Sequence, residues 1–169
     1  YDRLIEDAFA QSRSRAMTVL SYNDSSVVQR RIQDEGSNSA PFLYKIHGDI
    51  DDPAGIVLAE SDYRKLLFGE PGYRTLLASL FIHYTILFVG FSFSDEELML
   101  TLAELRWYLK SASQPDYILL STTGCSAVEK NRFRDDYGLE VISYENDGSH
   151  SALKVFLTQL RDLAQKSVN

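Results

Sequence analysis

Only one cysteine, Cys125, stands among the 169 residues, and that scarcity excludes an internal disulfide and a four-cysteine zinc site alike. The lone thiol reads as a buried or loop residue of an intracellular chain without structural zinc. Long apolar runs are equally lacking. The longest, Leu80 to Val89, is broken by His83 and Thr85 and falls far short of the roughly 20 residues that a membrane-spanning helix needs. Nothing in the chain reads as a signal peptide. Positive charge is scarce too: 17 Lys and Arg face 24 Asp and Glu, for a net charge of -7. Because affinity for a nucleic-acid backbone rests on cations that neutralise its phosphates, a broad phosphate-binding surface is not expected. Neither nucleic acid nor membrane is therefore an expected partner, and the expected location is cytoplasmic. Internal repeats, low-complexity tracts and the three-glycine dinucleotide fingerprint are also absent from the sequence.

What is present suits one globular domain with a proper core: 44% of the residues are hydrophobic and 24% charged, the balance of ordinary folded domains. The chain opens on Tyr1-Asp2-Arg3-Leu4-Ile5-Glu6 with no initiator Met, and it is expected to be truncated at its N-terminus. Leu4, Ile5, Ala8 and Phe9 share a helical face, which predicts a helix over 2–13. A strand is predicted from Met17 to Leu20, a helix from Ser25 to Gln33, and a strand from Phe42 to Ile46 that delivers His47-Gly48-Asp49. Ile56-Val57-Leu58 reads as a further short strand after the turn-like Asp51-Asp52-Pro53. Helical spacing returns from Ser61 to Leu67 and from Tyr73 to Tyr84.

The second half alternates strand and helix. Thr85 to Val89 is a continuous apolar run, as in a parallel strand covered on both faces. Residues 95–110 read as a helix that buries Leu98, Leu102 and Leu105, opened by a Ser94/Glu97 capping box and a Phe93/Leu98 staple. A strand at Tyr117–Leu120, a helix from the Ser126/Glu129 capping box, a strand at Glu140–Ser143 and a helix from about Ser149 to Ala164 complete the pattern. Such alternation predicts an α/β fold with right-handed crossovers and a parallel sheet.

Ligands of open parallel sheets bind beyond the carboxyl ends of the strands, and two segments stand there. In Lys45-Ile46-His47-Gly48-Asp49 a titratable imidazole sits beside a glycine that would let a ligand approach the backbone; a histidine that caps the strand or bonds a carbonyl is the alternative. In Val89-Gly90-Phe91-Ser92-Phe93-Ser94-Asp95 a small-residue loop leads into a helix start, where backbone amides and the helix dipole favour phosphate, although such turns also occur in ordinary α/β domains. His83 reads as a core or boundary residue. His150 reads as a cap near the last helix, with an adenine-side contact as the other reading. Glu60, Asp62 and Tyr63 either face a pocket mouth or begin a helix. The charges from Glu129 to Asp136 read as a solvated helix face, Trp107 and Tyr108 as packing or interface residues, and Asn23 as part of a strand-to-loop turn.

Taken in order, these segments resemble the sirtuin (silent information regulator) family in its divergent prokaryotic branch. Tyr1-Asp2-Arg3-Leu4-Ile5-Glu6 is similar to the end of that branch's Thr-x-Asn-Tyr-Asp motif and its following helix. His47-Gly48 is similar to the family's His-Gly, Gly90-Phe91-Ser92 with Asp95 to its Gly-x-Ser loop, and Ile142-Ser143-Tyr144 with His150 and the closing helix to its tail. The resemblance implies a Rossmann-like parallel sheet with helices on both faces, and a helical insertion over 61–84 in place of the zinc ribbon. It implies a catalytic His47, and cofactor contacts from Asp2 to the nicotinamide ribose and from Gly48, Gly90, Phe91, Ser92 and Tyr144. The Gly-rich loop and the Asn of the motif would precede residue 1, so the fragment alone is expected to be inactive. NAD is implied as a substrate and no zinc as a cofactor. The activity implied for the parent protein is NAD hydrolysis in defence against phage, with further copies of itself or a fused or partner defence domain. NAD-dependent deacylation or ADP-ribosyl transfer is the second reading, and a non-catalytic nucleotide-binding or assembly module the third.

Overall fold

The computed structural model describes residues 2–12, 17–33, 41–91, 96–109 and 115–166. It resolves into two compact units, Tyr1–His83 and Tyr84–Asn169. Both are α/β, with parallel strands flanked by helices, as the alternating pattern predicts.

The first unit runs α1 (Leu4–Ser12), β1 (Thr18–Ser21), α2 (Ser25–Gln33), β2 (Phe42–Lys45), α3 (Glu60–Gly69) and α4 (Pro71–His83). β1 and β2 pair in parallel from Thr18↔Phe42 to Ser21↔Lys45, so both chains leave the sheet at the same edge. Two apolar clusters hold the unit. Leu20, Val28, Ile32 and Leu76 form one, and Val57, Leu66, Tyr73 and Leu77 the other. Tyr73, Leu76, Leu77 and Leu80 are spaced i, i+3, i+4, i+7, so one broad face of α4 serves both clusters, and Leu80 packs against each.

Two features of this unit differ from the sequence expectations. Ile56-Val57-Leu58 forms no strand: Val57 is buried while Leu58 is 71% exposed, and the Val57 amide is bonded to the His47 carbonyl at 3.0 Å. That bond and the buried Val57 side chain anchor the segment. In α1, Leu4 and Ile5 of the expected apolar face are exposed, whereas Phe9 is half-buried. Glu6 also turns in, only 15% exposed, because a buried cation waits for it on β2.

The second unit runs β3 (Leu87–Phe88), α5 (Glu96–Leu109), β4 (Asp116–Ser121), α6 (Ala127–Tyr137), β5 (Leu139–Tyr144) and α7 (Ser151–Lys166). Its strands form a parallel sheet in the order β3-β4-β5. Adjacent strand residues point to opposite faces, and Ile118 and Leu119 in central β4 are both buried, so this sheet is covered on both sides. The expected strand Thr85–Val89 contracts to two residues. The Ile86 amide is taken by the Asp116 carboxylate at 2.7 Å instead of by a ladder partner, and the backbone turns to positive φ at Gly90.

α6 starts as predicted: the Ser126 amide and hydroxyl both donate to the Glu129 carboxylate at 2.7 Å, and Ser126 Oγ accepts from the Glu129 amide. It ends on Gly138 in the left-handed region, the usual glycine stop. Ser94 of the Ser94/Glu97 box and Phe93 of the Phe93/Leu98 staple lie outside the described residues. No helix among the described residues is long and apolar enough to cross a membrane.

Candidate functional site

β1 and β2 deliver their carboxyl ends side by side, and each is followed by a tight polar turn. After β1, Ser21 donates through its amide (2.8 Å) and hydroxyl (3.2 Å) to Asp24, closing a 3-10 turn over Tyr22–Asp24. Asn23 lies exposed within that turn. After β2 comes a bend at Ile46-His47 and then Gly48 at φ +93°. A Cβ on Gly48 would stand 2.4 Å from the Gly55 carbonyl oxygen and 2.9 Å from Ile56 Cα. The close approach that demands glycine is thus made by the chain's own 55–56 segment.

His47 is half-buried, and its ring meets Tyr63 of α3 edge-on, with centroids 5.0 Å apart. Nothing in the sequence pairs these two residues, because the contact spans a loop and a helix start. Asp62 serves that helix start, accepting the Ala59 amide at 3.1 Å, while Glu60 is exposed and ion-paired to Arg64 on the helix surface.

Beneath the His-Gly turn lies a feature that the motif reading passed over. Lys45, the last residue of β2, has a side chain only 7% exposed. Its ammonium donates to the Asp2 carbonyl oxygen at 2.7 Å and pairs with Glu6 at 2.5 Å and Asp49 at 2.9 Å. Desolvation pulls the Lys45 pKa down, but the bonds from Glu6 and Asp49 outweigh it and leave the value raised. Glu6 is lowered chiefly by its Lys45 bond. Asp49 is lowered first by the Asp51 amide, 3.0 Å from its Oδ1, and then by Lys45. Asp2 itself is exposed, its carboxylate accepting the Leu4 amide at 3.1 Å as α1 begins. Lys45 therefore joins the Asp2 segment to the His47 turn.

A cleft of about 270 Å³ opens at these strand ends, walled by Ser21, Asn23, Asp24, Gly48, Asp49, Asp51 and Asp52 among others. Its lining is acidic. Among the described residues, no group of three His, Cys, Asp or Glu is arranged to hold a metal ion.

The remaining expected contacts lie in the second unit. Gly90 sits at φ +67° with open space where a Cβ would be. Phe91 is half-buried, its ring 5.5 Å from that of Phe88. Ser92 lies outside the described residues. Tyr144 ends β5, and its hydroxyl lies 2.9 Å from His150 Nδ1. His150 has the only positive φ, 54°, of any described non-glycine residue, a conformation that L-residues adopt at a cost and that gathers at functional sites. Its ring does not cap α7. Asp147 does, accepting from the amides of Ser149 and Ser151 and from both their hydroxyls, which holds its carboxyl well below the usual range.

Three other expectations resolve simply. His83 is exposed at the end of α4, its Nδ1 2.8 Å from the Ser79 carbonyl oxygen. The charges of α6 are exposed except that of Lys130, which is half-buried and donates to Ser143 Oγ at 2.6 Å, and Trp107 is 68% exposed. The Cys125 thiol is half-buried, and desolvation, reinforced by nearby Glu129, raises its pKa, which keeps it in the unreactive protonated form.

The family model described as the SIR2-like domain matches residues 1–142. The chain is 26% identical over 172 residues to the NAD(+) hydrolase ThsA of Enterococcus faecium, covering 100% of this chain and 32% of that protein. It is 30% identical over 120 residues to the protein of the same name from Bacillus cereus (strain MSX-D12), covering 71% and 24%. It is 24% identical over 168 residues to that of Acinetobacter baumannii (strain 532279), covering 99% and 30%. The chain thus spans about a third or less of the length of each of these relatives. With the family model covering most of the sequence and a parallel-stranded fold that presents His47-Gly48 at a strand end, the chain belongs to the SIR2-like domain family.

Proposed function

We propose that this chain is the C-terminal portion of the SIR2-like domain of a protein that hydrolyses NAD to nicotinamide and an ADP-ribose product, in a cytoplasmic anti-phage response that works by depleting NAD. The observation that carries this reading is the placement of His47-Gly48 at the carboxyl end of a parallel strand, beside a cleft and tied through Lys45 to the Asp2 segment. The names of the relatives support it. The helical stretch over 61–84 takes the place of a zinc module, and further copies of the protein or a fused defence domain complete the assembly.

The cleft suits one end of the substrate better than the other. At about 270 Å³ it is below the roughly 300–1,000 Å³ of pockets that enclose a whole drug-sized ligand. Asp24, Asp49, Asp51 and Asp52 along its wall repel a pyrophosphate and favour ribose hydroxyls and a cationic pyridinium. On this reading Asp2 and the cleft take the nicotinamide riboside end. Gly90, Phe91, Ser92 and Tyr144 take the phosphate and adenine end, with backbone amides as phosphate donors.

The chemistry follows from that placement. The bond from the ribose anomeric carbon to the pyridinium nitrogen breaks with its electron pair going to nitrogen, so nicotinamide leaves neutral. The positive charge that develops on the sugar is stabilised by the carboxylates around it. Water adds to the anomeric carbon, and its proton passes to His47 as general base.

The test is NAD loss by the protein carried upstream through a Thr-x-Asn segment and Gly-rich loop, with His47 intact and as His47→Ala. Loss is expected only with His47. Intact NAD in both overturns hydrolysis, equal loss in both removes His47 from the mechanism, and loss only when an acyl-lysine peptide is added transfers the reading to deacylation.

A further inference from the structure

A lysine with a 7% exposed side chain between two carboxylates is a poor device for stability. Removing three charges from water costs more than their attraction reliably returns, and apolar replacements are often as stable or more so. The cost here is visible: Glu6 Oε2 is buried with no hydrogen-bond partner among the described residues. The cluster does, however, fix the position of the start of α1. Leu4 and Ile5 are exposed, so the start of α1 is not seated by an apolar face. It is seated by the Lys45 ammonium, which holds the Asp2 carbonyl oxygen at 2.7 Å and the Glu6 carboxylate at 2.5 Å. The same ammonium holds Asp49 at 2.9 Å, and Asp49 is two residues beyond His47 on a turn already locked by Gly48 against Gly55.

We infer that Lys45 is a positioning residue for NAD hydrolysis, setting the separation between the ribose-holding Asp2 segment and His47 by clamping α1 to the His47 turn. This rests on the function proposed above. It assigns Lys45 a role in rate, through geometry, with no contact between Lys45 and the substrate. A displacement on the order of 1 Å between groups that must meet at one sugar costs roughly 100-fold in rate, which sets the size of the expected effect.

The experiment compares Lys45→Met, Lys45→Arg and Val28→Ala in the upstream-extended protein, measuring kcat, KM for NAD, thermal stability and amide hydrogen exchange. Val28 is a fully buried core residue that is not among those lining the cleft, so Val28→Ala supplies a loss of stability without removing a member of the clamp. Lys45→Met is expected to fold and to lose about 10- to 100-fold in kcat with KM changed by less than about threefold. Lys45→Arg, which restores a cation, is expected to recover much of the rate, and Val28→Ala to keep a wild-type kcat below its melting transition.

A Lys45→Met protein whose kcat is that of the wild type overturns the inference, and so does one whose loss is matched by Val28→Ala at equal loss of stability. Hydrogen exchange separates failure of this inference from failure of the hydrolase reading. If even the wild-type protein leaves NAD intact, the hydrolase reading falls. The clamp is then judged by the Leu4 and Gly48 amides: selective loss of their protection in Lys45→Met upholds it, and unchanged protection overturns it.

Discussion

At Gly48 the backbone conformation and the surroundings demand glycine independently: φ is +93°, and a Cβ would meet the Gly55 carbonyl oxygen at 2.4 Å. At Gly90 only the first demand applies, since φ is +67° but the space is open. Left-handed backbone costs an L-residue roughly 1–2 kcal/mol, and a forced contact with immovable backbone adds roughly 1–3 kcal/mol. Gly48→Ala is therefore expected to cost about 2–5 kcal/mol, and Gly90→Ala about 1–2 kcal/mol. Urea unfolding midpoints check the ranking, and an equal shift for both would contradict the packing described at Gly48.

The charges around Lys45 carry their own signature. Glu6 and Asp49 have folded-state pKa values below their ordinary ones, so the stability they contribute is complete above about pH 5 and is lost as pH falls through the lowered values. Lys45 is raised, so its contribution is complete below about pH 10 and is lost as pH rises through the raised value. Melting temperature is expected to be flat between these limits and to fall on both sides. In Lys45→Met the acid loss should shrink, because Glu6 no longer gains from being ionised. An acid limb identical to that of the wild type would show that the triad is not coupled in solution.

Among the elements, those with continuous local signals were legible. α2 occupies Ser25–Gln33 as its spacing predicts, and α6 follows its capping box. Elements whose extent depends on distant groups were not. β3 is shorter than its apolar run because Asp116, 30 residues away, takes the Ile86 amide, and periodicity carries no trace of such a bond. The Lys45 triad escaped for the same reason, as Glu6 and Lys45 lie far apart in sequence, and Tyr63 reaches His47 only through the fold.

The Asp116 link is testable. Burial raises its carboxyl pKa, opposed by the Ile86 amide, so whatever stability its titration gives is present below the ordinary aspartate range and is lost as pH rises through the raised value. Asp116→Ala leaves a half-buried amide without an acceptor and is expected to cost about 1–3 kcal/mol. Asp116→Asn keeps an acceptor without the charge and should match or exceed the wild type at pH 7. Equal losses in the two variants, by urea unfolding, would point to packing and away from the hydrogen bond.

For the whole molecule, the order of motifs carried more information than any one of them. A lone His-Gly or a single Gly-Phe-Ser is a common turn, whereas their succession on alternating strands and helices identifies the family that residues 1–142 match. The proposed roles also divide along the chain. His47 and Asp2 belong to the first unit, and Gly90, Phe91 and Tyr144 to the second. If His47 performs bond cleavage and Tyr144 holds the phosphate and adenine end, substitutions should separate in the kinetics of the upstream-extended protein. His47→Ala removes a general base and is expected to lower kcat by about 100- to 10,000-fold with little change in KM. Tyr144→Phe removes one hydroxyl, now bonded to His150 at 2.9 Å, and is expected to raise KM about 2- to 10-fold at nearly constant kcat, as loss of a single neutral hydrogen bond would. A Tyr144→Phe protein with unchanged KM and lowered kcat would place Tyr144 with the reacting atoms and break this division, whereas a rise in KM alone would assign the strand end of β5 to binding.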